Sequence, residues 1–409
     1  MKQFNKMKKG TLFLAMLTIL FIISCDNSSF QYAEDNNISV LNPPLQYEED
    51  NTTIALNSLL QIGWVIGYDA NNTAVILHTK NVGQKWVVQG DNNKWKGCNG
   101  NDISAVDKHT AWAALGSSTA DGNGKILYTS NGGVTWTEQT LPEGVNGGIK
   151  SIKGLSLQEA WAVSIKGTVL HTTDGGDVWN IVETGIKIVQ VNRMDAIGYR
   201  DVRDTDHSGK NTGKIHANVW IADEHGDDNG HLGMIHTLYN GDIWQEYLPP
   251  TDNSDFKVHM VNAYSPRVVW AATWMSGALF RTADGGGNWK IVAEVGPNDI
   301  DDMCAYSANA LWFVQFQGTQ VGGVIYHLYP EDKEVEIEQF NPFPSYLYEG
   351  LTCVNDQVAV AVGFTNANEP PQQRGIILVT NDGGQTWENQ ALPVDDVRLW
   401  KVSFVGAHR

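Results

Sequence analysis

Thr380-Asn381-Asp382-Gly383-Gly384-Gln385-Thr386-Trp387 is the stretch that decides the fold, because the same pattern returns along the chain. A Thr is followed two residues later by Asp or Asn, then by Gly, and the run closes on Trp. It recurs at Thr79-Asn81-Gly83-Trp86, Thr129-Asn131-Gly133-Trp136, Thr172-Asp174-Gly176-Trp179 and Thr282-Asp284-Gly286-Trp289. A decayed copy stands at Thr237-Gly241-Trp244, with Tyr239 in place of the acid. Asp, Asn and Thr side chains hydrogen-bond nearby backbone in turns, and Gly admits positive φ, so each copy reads as a tight hairpin turn. The tryptophan then buries a large ring beside that hairpin. The last two copies stand twice the usual distance apart, so one unit has lost its motif, near Val324 to Glu336.

A second marker precedes each turn. It is a short apolar strand carrying Trp64, Trp112, Trp161, Trp220, Trp270 or Trp312, and a seventh copy at Val358 to Gly363 lacks the Trp. Seven units of about 49 residues therefore fill the chain from residue 60 onward. One such unit cannot bury both faces of its own small sheet. Radial stacking buries them and leaves only short edges. The expected fold is all-β, a seven-bladed β-propeller closed by the C-terminal strand, over residues 53–409. Val397 to Phe404 reads as an innermost strand with no unit after it, and would complete the first blade. Thr53 to Leu56 is the alternative for that place.

The turn motif resembles the Asp-box, or BNR repeat. Together with the Gly-Trp strand it is similar to the propellers of the photosystem II assembly and stability factor family. That resemblance implies a propeller that binds or assembles proteins. Asp-box sialidases, by comparison, grip a carboxylate with three arginines, and the Arg-Ile-Pro segment that precedes their boxes is missing here. Asp-box xyloglucanases use two tandem propellers, and sortilin-type receptors have ten blades; one ring of seven fits neither.

Composition bounds the function further. The 409 residues include 15 Trp and 41 Gly, and Lys+Arg 28 against Asp+Glu 46 gives a net charge of −18. A nucleic-acid binder shows a basic footprint, and this chain is acidic, so no nucleic-acid partner is expected. Lys2, Lys6, Lys8 and Lys9, the apolar run Thr11 to Ile23, and Ile22-Ile23-Ser24-Cys25 resemble a lipoprotein signal with its lipobox. Residues 1–24 are read as that signal and Cys25 as the lipidated residue, anchoring the chain in a bacterial cell envelope, on the periplasmic or the outer surface. Residues 25–52, polar and aperiodic, are read as a flexible tether. Cys98, Cys304 and Cys353 remain, so at most one disulfide forms and burial must hold the core.

In antiparallel blades the second-to-third-strand loops and the blade-to-blade loops share one rim. The long insertions fall mainly there, at Gly116 to Lys125, Asp223 to Gly233, Phe364 to Gly375, Gly90 to Asp102 and Gln339 to Glu349. Loops on a rigid scaffold carry function. The candidate ligand-binding residues on that rim are Tyr68, Trp95, Glu224, His225, His231, Trp274, Gln317, Tyr346 and Tyr348. The expected ligand is a protein partner or a glycan, held by a monomeric, non-catalytic scaffold. The alternative is a glycoside hydrolase or polysaccharide lyase using His225 or His231 with Tyr68 and Glu224. The fourth unit concentrates histidines and acids, and Asp204-Thr205-Asp206-His207-Ser208-Gly209 resembles the start of a calcium loop. Asp204, Asp206 and Ser208 are the candidate ligands for Ca2+ or another divalent metal. Ile215 stands where an EF-hand places its bidentate Glu.

Overall fold

The computed structural model describes residues 38–40, 62–81, 83–90, 92–117, 124–201, 215–223, 234–239, 243–247, 257–274, 276–318, 322–331, 334–365 and 374–406. Seven antiparallel sheets of four strands follow one another along the chain, and one of them carries a fifth strand at its edge. The innermost strands are Val397–Phe404, Cys98–Ala105, Ile149–Gly154, Val191–Asp201, Lys257–Ala263, Ile300–Ala305 and Tyr346–Cys353, for the first to the seventh sheet. Each packs against the innermost strand of the next sheet, and the seventh against the first, so the ring is closed. The fold is a β-propeller.

Closure is made by Val397–Phe404, which pairs with Gly63–Asp69 from Gly63 opposite Phe404 to Asp69 opposite Val397. The last strand thus supplies the inner edge of the first sheet, as its apolar pattern predicts. Thr53 to Leu56, the alternative, lies outside the described residues, as do the signal segment and Cys25. Within the stretch read as a tether, Ile38–Val40 pairs with Tyr199 to Asp201 as the fifth strand of the fourth sheet.

The turn motif works in the same way five times. In Thr282 to Asn288, the Thr282 hydroxyl donates to Asp284 at 2.8 Å and accepts from Gly286 N–H at 2.9 Å, and Asp284 accepts from Asn288 N–H at 2.8 Å. The turns at Thr79, Thr129, Thr172 and Thr380 repeat all three bonds. Gly286 and Gly384 sit at φ of 99° and 90°, where a side chain is strained. They also have no room for one: Tyr247 and Phe340, from the outer strand of the preceding sheet, lie against them. The turn is therefore an inter-sheet contact as well as a hairpin. In the sixth sheet, which lacks the motif, Gly323–Glu331 and Glu334–Phe340 pair down to Glu331 opposite Glu334.

The two tryptophan series meet between sheets. Trp112 of the second sheet meets Trp179 of the third edge-on at 5.7 Å, Trp220 meets Trp289 at 6.2 Å, and Trp312 meets Trp387 at 6.0 Å. Such pairs add about 0.5–1.5 kcal/mol to the burial itself, and replacing a buried Trp by Ala costs about 3–5 kcal/mol. Where the seventh sheet has Val360 instead of Trp, Trp86 turns edge-on to Phe404 within a cluster that includes Val360 and Val379.

Five of the strand tryptophans are also covered from within their own sheet. The residue just before the motif Thr lies directly across from the Trp: His78 opposite Trp64, Tyr128 opposite Trp112, His171 opposite Trp161 and Arg281 opposite Trp270. His327 holds that place opposite Trp312, with rings 3.9 Å apart and nearly parallel. Burial, with Lys80 adding repulsion, pushes the His78 imidazole down to about 4. Burial likewise lowers His327 to about 4, against a weak opposing pull from Asp356.

These histidines are neutral in the folded state, and the unfolded chain takes up their protons near 6.5. Their contribution is complete above that pH and is lost as the pH falls toward 4. Denaturant unfolding at a series of pH values should therefore show stability falling from pH 6.5 to 4.5, and His327→Phe should make that fall shallower by about one proton taken up on unfolding. An unchanged slope would show that His327 is protonated alike in both states.

Candidate functional site at the axial mouth

Every innermost strand carries a one-residue bulge at the same height. The ladder skips Asn101, Lys150, Asn192, His259, Asp301, Glu349 and Trp400 in turn. A bulge bends the strand and re-aims side chains, and bulges concentrate at barrel rims and functional sites. These seven are half-buried. They lie toward the start of their strands, on the rim that carries the long connections.

In four sheets the residue after the bulge reaches across the axis. Arg193 of the fourth sheet bonds Asp102 of the second at 3.0 Å, and Lys401 of the first bonds Asp302 of the sixth at 3.0 Å. Each pair skips an intervening sheet, which only groups projecting into the centre of the ring can do. The skipped sheet is held too. Asp102 accepts from Ile152 N–H at 2.9 Å and from the Ser151 hydroxyl at 2.6 Å, and Asp302 accepts from Leu351 N–H at 2.8 Å. Two carboxylates therefore each tie three sheets together.

One layer deeper, side chains bond the backbone of the next sheet. Ser403 accepts from Ala105 N–H, Ser104 from Gly154 N–H, Asp195 from Ala263 N–H and Asn262 from Ala305 N–H, all at 2.9–3.0 Å. Lys153 completes the charge on Asp195 at 2.9 Å. Between the sixth and seventh sheets the disulfide Cys304–Cys353 takes the place of such a bond, and among the described residues Cys98 is the free, buried cysteine. The single pair that the cysteine count allows is thus a staple between inner strands.

Electrostatics follows from this packing. Burial works against the charge on Arg193, but the carboxylates of Asp102, Asp302 and Asp195 outweigh it and hold the guanidinium protonated well beyond its usual range. Lys401 goes the other way: burial and the neighbouring Arg193 lower it, with Asp302 and Asp102 opposing. In the bulge ring, loss of water raises Asp301 well above the usual carboxylate range, and Glu349 and Asp299 raise it further. Loss of water also raises Glu349, against the pull of Lys401, Lys150 and Arg398.

The predicted rim residues divide. Tyr68, Trp274, Gln317 and Tyr346 are half-buried at strand ends on the expected rim. Arg398 lies 5.0 Å over the Phe364 ring and 5.9 Å over Tyr68, and Tyr68 is 5.9 Å from Trp400, so Tyr68 belongs to an arginine–aromatic group at the mouth. Lys257 lies 5.0 Å over Trp274. Gln317 donates to the Tyr326 hydroxyl. Trp95 and Tyr348 do not serve as exposed platforms: they are 3% and 1% accessible. Trp95 fills the cluster under Trp64 and Ile103, and Tyr348 the one around Trp312 and Leu351. Large rings are drawn into the core even where the sequence around them reads as loop.

Glu224, His225, His231, Asp204, Asp206 and Ser208 lie outside the described residues. Their attachment points are informative nonetheless. The segment with Asp204 enters at Asp201 and leaves at Ile215, and the segment with His225 enters at Asp223. Ile215–Asp223 is one strand, so the two segments join opposite ends of it, about 26 Å apart at 3.3 Å per residue. Among the described residues no three His, Cys, Asp or Glu are placed to hold a metal ion.

Sequence reasoning missed the bulge ring. Its one trace was a pair of polar residues at the same strand position in four of the units, Asn101-Asp102, Lys150-Ser151, Asn192-Arg193 and Asp301-Asp302.

No family model matches the chain, and no curated protein matches it. Solved structures do. The chain is similar to YCF48 from Cyanidioschyzon merolae, at 13% identity over 89% of this chain and 98% of that one, with a TM-score of 0.51. It is similar to a structure of YCF48 bound to D1 peptide, at 15% identity over 84% and 88%, with a TM-score of 0.50. A streptogramin B lyase is similar at 13% identity over 85% and 93%, with a TM-score of 0.53. At these identities the likeness is one of fold, and it agrees with the propeller built above.

The raised acids yield a stability test. An acid whose folded value lies above its unfolded one costs stability once the pH passes its unfolded value, and the cost grows as the pH rises through the folded one. Asp301→Asn should therefore raise Tm by a few degrees at pH 7.5, with the gain shrinking as the pH falls to 4. A loss of Tm at pH 7.5 would mean that the Asp301 carboxylate is held as an anion by partners.

Proposed function

We propose that the chain is a non-catalytic binding scaffold: an exported, lipid-anchored propeller that holds a protein partner against its loop-rich rim. On this reading the units are Asp-box repeats in a seven-bladed ring, Cys25 carries the lipid, and the molecule acts as a monomer. The observation that carries the reading is the difference between the two rims. Apart from the connection between Asp201 and Ile215, the rim of the turn motifs carries short turns, five of them bonded internally by the motif. The other rim carries the long connections, the ring of half-buried polar bulge residues and the aromatic group around Arg398.

Further features support it. A net charge of −18 favours a basic partner and speeds its encounter. The Cys304–Cys353 disulfide suits an oxidising compartment, as export requires. The structure of YCF48 bound to D1 peptide gives a precedent for a peptide on this fold.

A second reading, a glycan-active hydrolase or lyase on the same rim, draws on Asp301 and Glu349. Two carboxyl groups on adjacent strands with raised values are the chemistry of a general acid and its partner. Product release from a polysaccharide panel, abolished by Glu349→Gln, would establish it.

The binding reading is tested with a photo-crosslinking residue placed in the intact envelope protein at Tyr346 or Trp274, and for comparison at Asn288 or Thr386 on the turn rim. The first two positions should trap one discrete protein, and the turn-rim positions at least about ten-fold less, as for a local contact. Equal trapping from both rims, or none, would overturn the proposal.

A further inference from the structure

We propose that the axial mouth receives a basic side chain, lysine or arginine, inserted by the protein partner between Asp301 and Glu349 with Trp400 beside it; this rests on the binding reading above. Asp301 and Glu349 occupy the same ring position on neighbouring strands, and Trp400 holds the next position after Glu349. The Glu349 carboxylate has no hydrogen-bond or ion-pair partner among the described residues. Phe316 N–H, which bonds the Asp299 carbonyl at 3.2 Å, lies close enough to favour the Asp301 anion.

The cations nearby are committed elsewhere or act at longer range. Lys401 is bound to Asp302 at 3.0 Å and reaches only the main-chain oxygen of Glu349, at 3.5 Å. Arg398 lies over Phe364 and donates to the Tyr68 hydroxyl. Lys150 attracts Glu349 through space. The charged groups facing the pair are thus Lys401, Lys150 and Arg398 on one side, and Asp299 and Asp302 on the other.

Two acids with no third donor suit an ammonium or guanidinium, which needs only accepting oxygens, better than a metal ion, which takes four or more ligands. Trp400, half-buried and stacked on Phe364 at 6.4 Å, offers an apolar wall to the methylene stem and a π face to the charge. A cation placed there also relieves the repulsion between the two carboxyl groups, so its arrival displaces a proton from them.

The test uses the whole chain and two acetylated hexapeptides that are identical except that one carries two arginines and the other two citrullines, which keep the shape without the charge. Calorimetry is run at pH 6.5 in buffers of different ionisation enthalpy. The arginine peptide should bind at least about ten-fold more tightly than the citrulline peptide, a difference of about 1.4 kcal/mol, and should release protons. The double variant D301N/E349Q should lose both the preference and the proton release. E294Q/E388Q, which removes the same charge from exposed outer strands, should keep both. Thermal unfolding of each variant confirms that it is folded. Equal binding of the two peptides, or equal loss in the two double variants, would overturn the inference. If crosslinking traps a partner at the rim but D301N/E349Q traps it as well as the parent chain, the inference fails and the scaffold stands; if nothing is trapped, the scaffold reading itself fails.

Discussion

The pairing of Val397–Phe404 with Gly63–Asp69 is the contact on which the rest of the molecule depends. It joins residues more than three hundred positions apart, and until it forms the first sheet has no inner strand and the ring has two open ends. Apart from the axial pair Arg193–Asp102, the inter-sheet contacts named above that do not involve this strand join sheets that are neighbours in sequence. This one brings the seventh unit against the first. Phe404 covers Trp86, Ser403 bonds Ala105 N–H, and Lys401 reaches Asp302, so the closing strand serves its own sheet, the sheet after it and the sheet two before it.

The inner strands do two things with one irregularity. The bulge lets the strand bend around a narrow axis, and it leaves one side chain per sheet outside the ladder at the mouth. The residues just beneath are fully used: Asp102, Arg193, Asp302 and Lys401 neutralise one another and bond backbone. The layer of Ser104, Asp195, Asn262 and Ser403 is used likewise. A rigid, satisfied floor beneath a ring of half-buried polar residues is how a scaffold presents a site without holding it on mobile loops.

Much of the fold was legible because one physical unit repeats. The Thr-Asp-Gly-Trp turn signals its own hydrogen bonds, and the strand tryptophans mark the same place in successive sheets, so the propeller class, the strand order and the closing strand follow from spacing. The site was less legible. Trp95 and Tyr348 are aromatic and lie beside long connections, yet the core takes them, because a large ring gains more from burial than a loop gains from displaying it. His78 and His327 look like chemistry but serve as covers for Trp64 and Trp312. The bulge ring was nearly invisible, since a one-residue slip in pairing is set by the partner strand and the curvature of the ring, and leaves no pattern in the strand itself beyond a polar pair. The disulfide was countable but not assignable, because pairing three cysteines needs the neighbour relation between the sixth and seventh inner strands.

The dependence of the whole ring on its closing strand is tested most directly by ending the chain at residue 396 and following amide exchange in the strands far from the cut, such as Val219 to Ala222 and Leu311 to Val314. If the ring is closed by its last strand, these amides should lose their slow exchange together with those of Val65 and Ile66, since the sheets stand only as a closed set. If the shortened chain keeps slow exchange in the fourth and sixth sheets and a single cooperative unfolding transition at an unchanged Tm, the closing strand is an ornament and the ring stands without it.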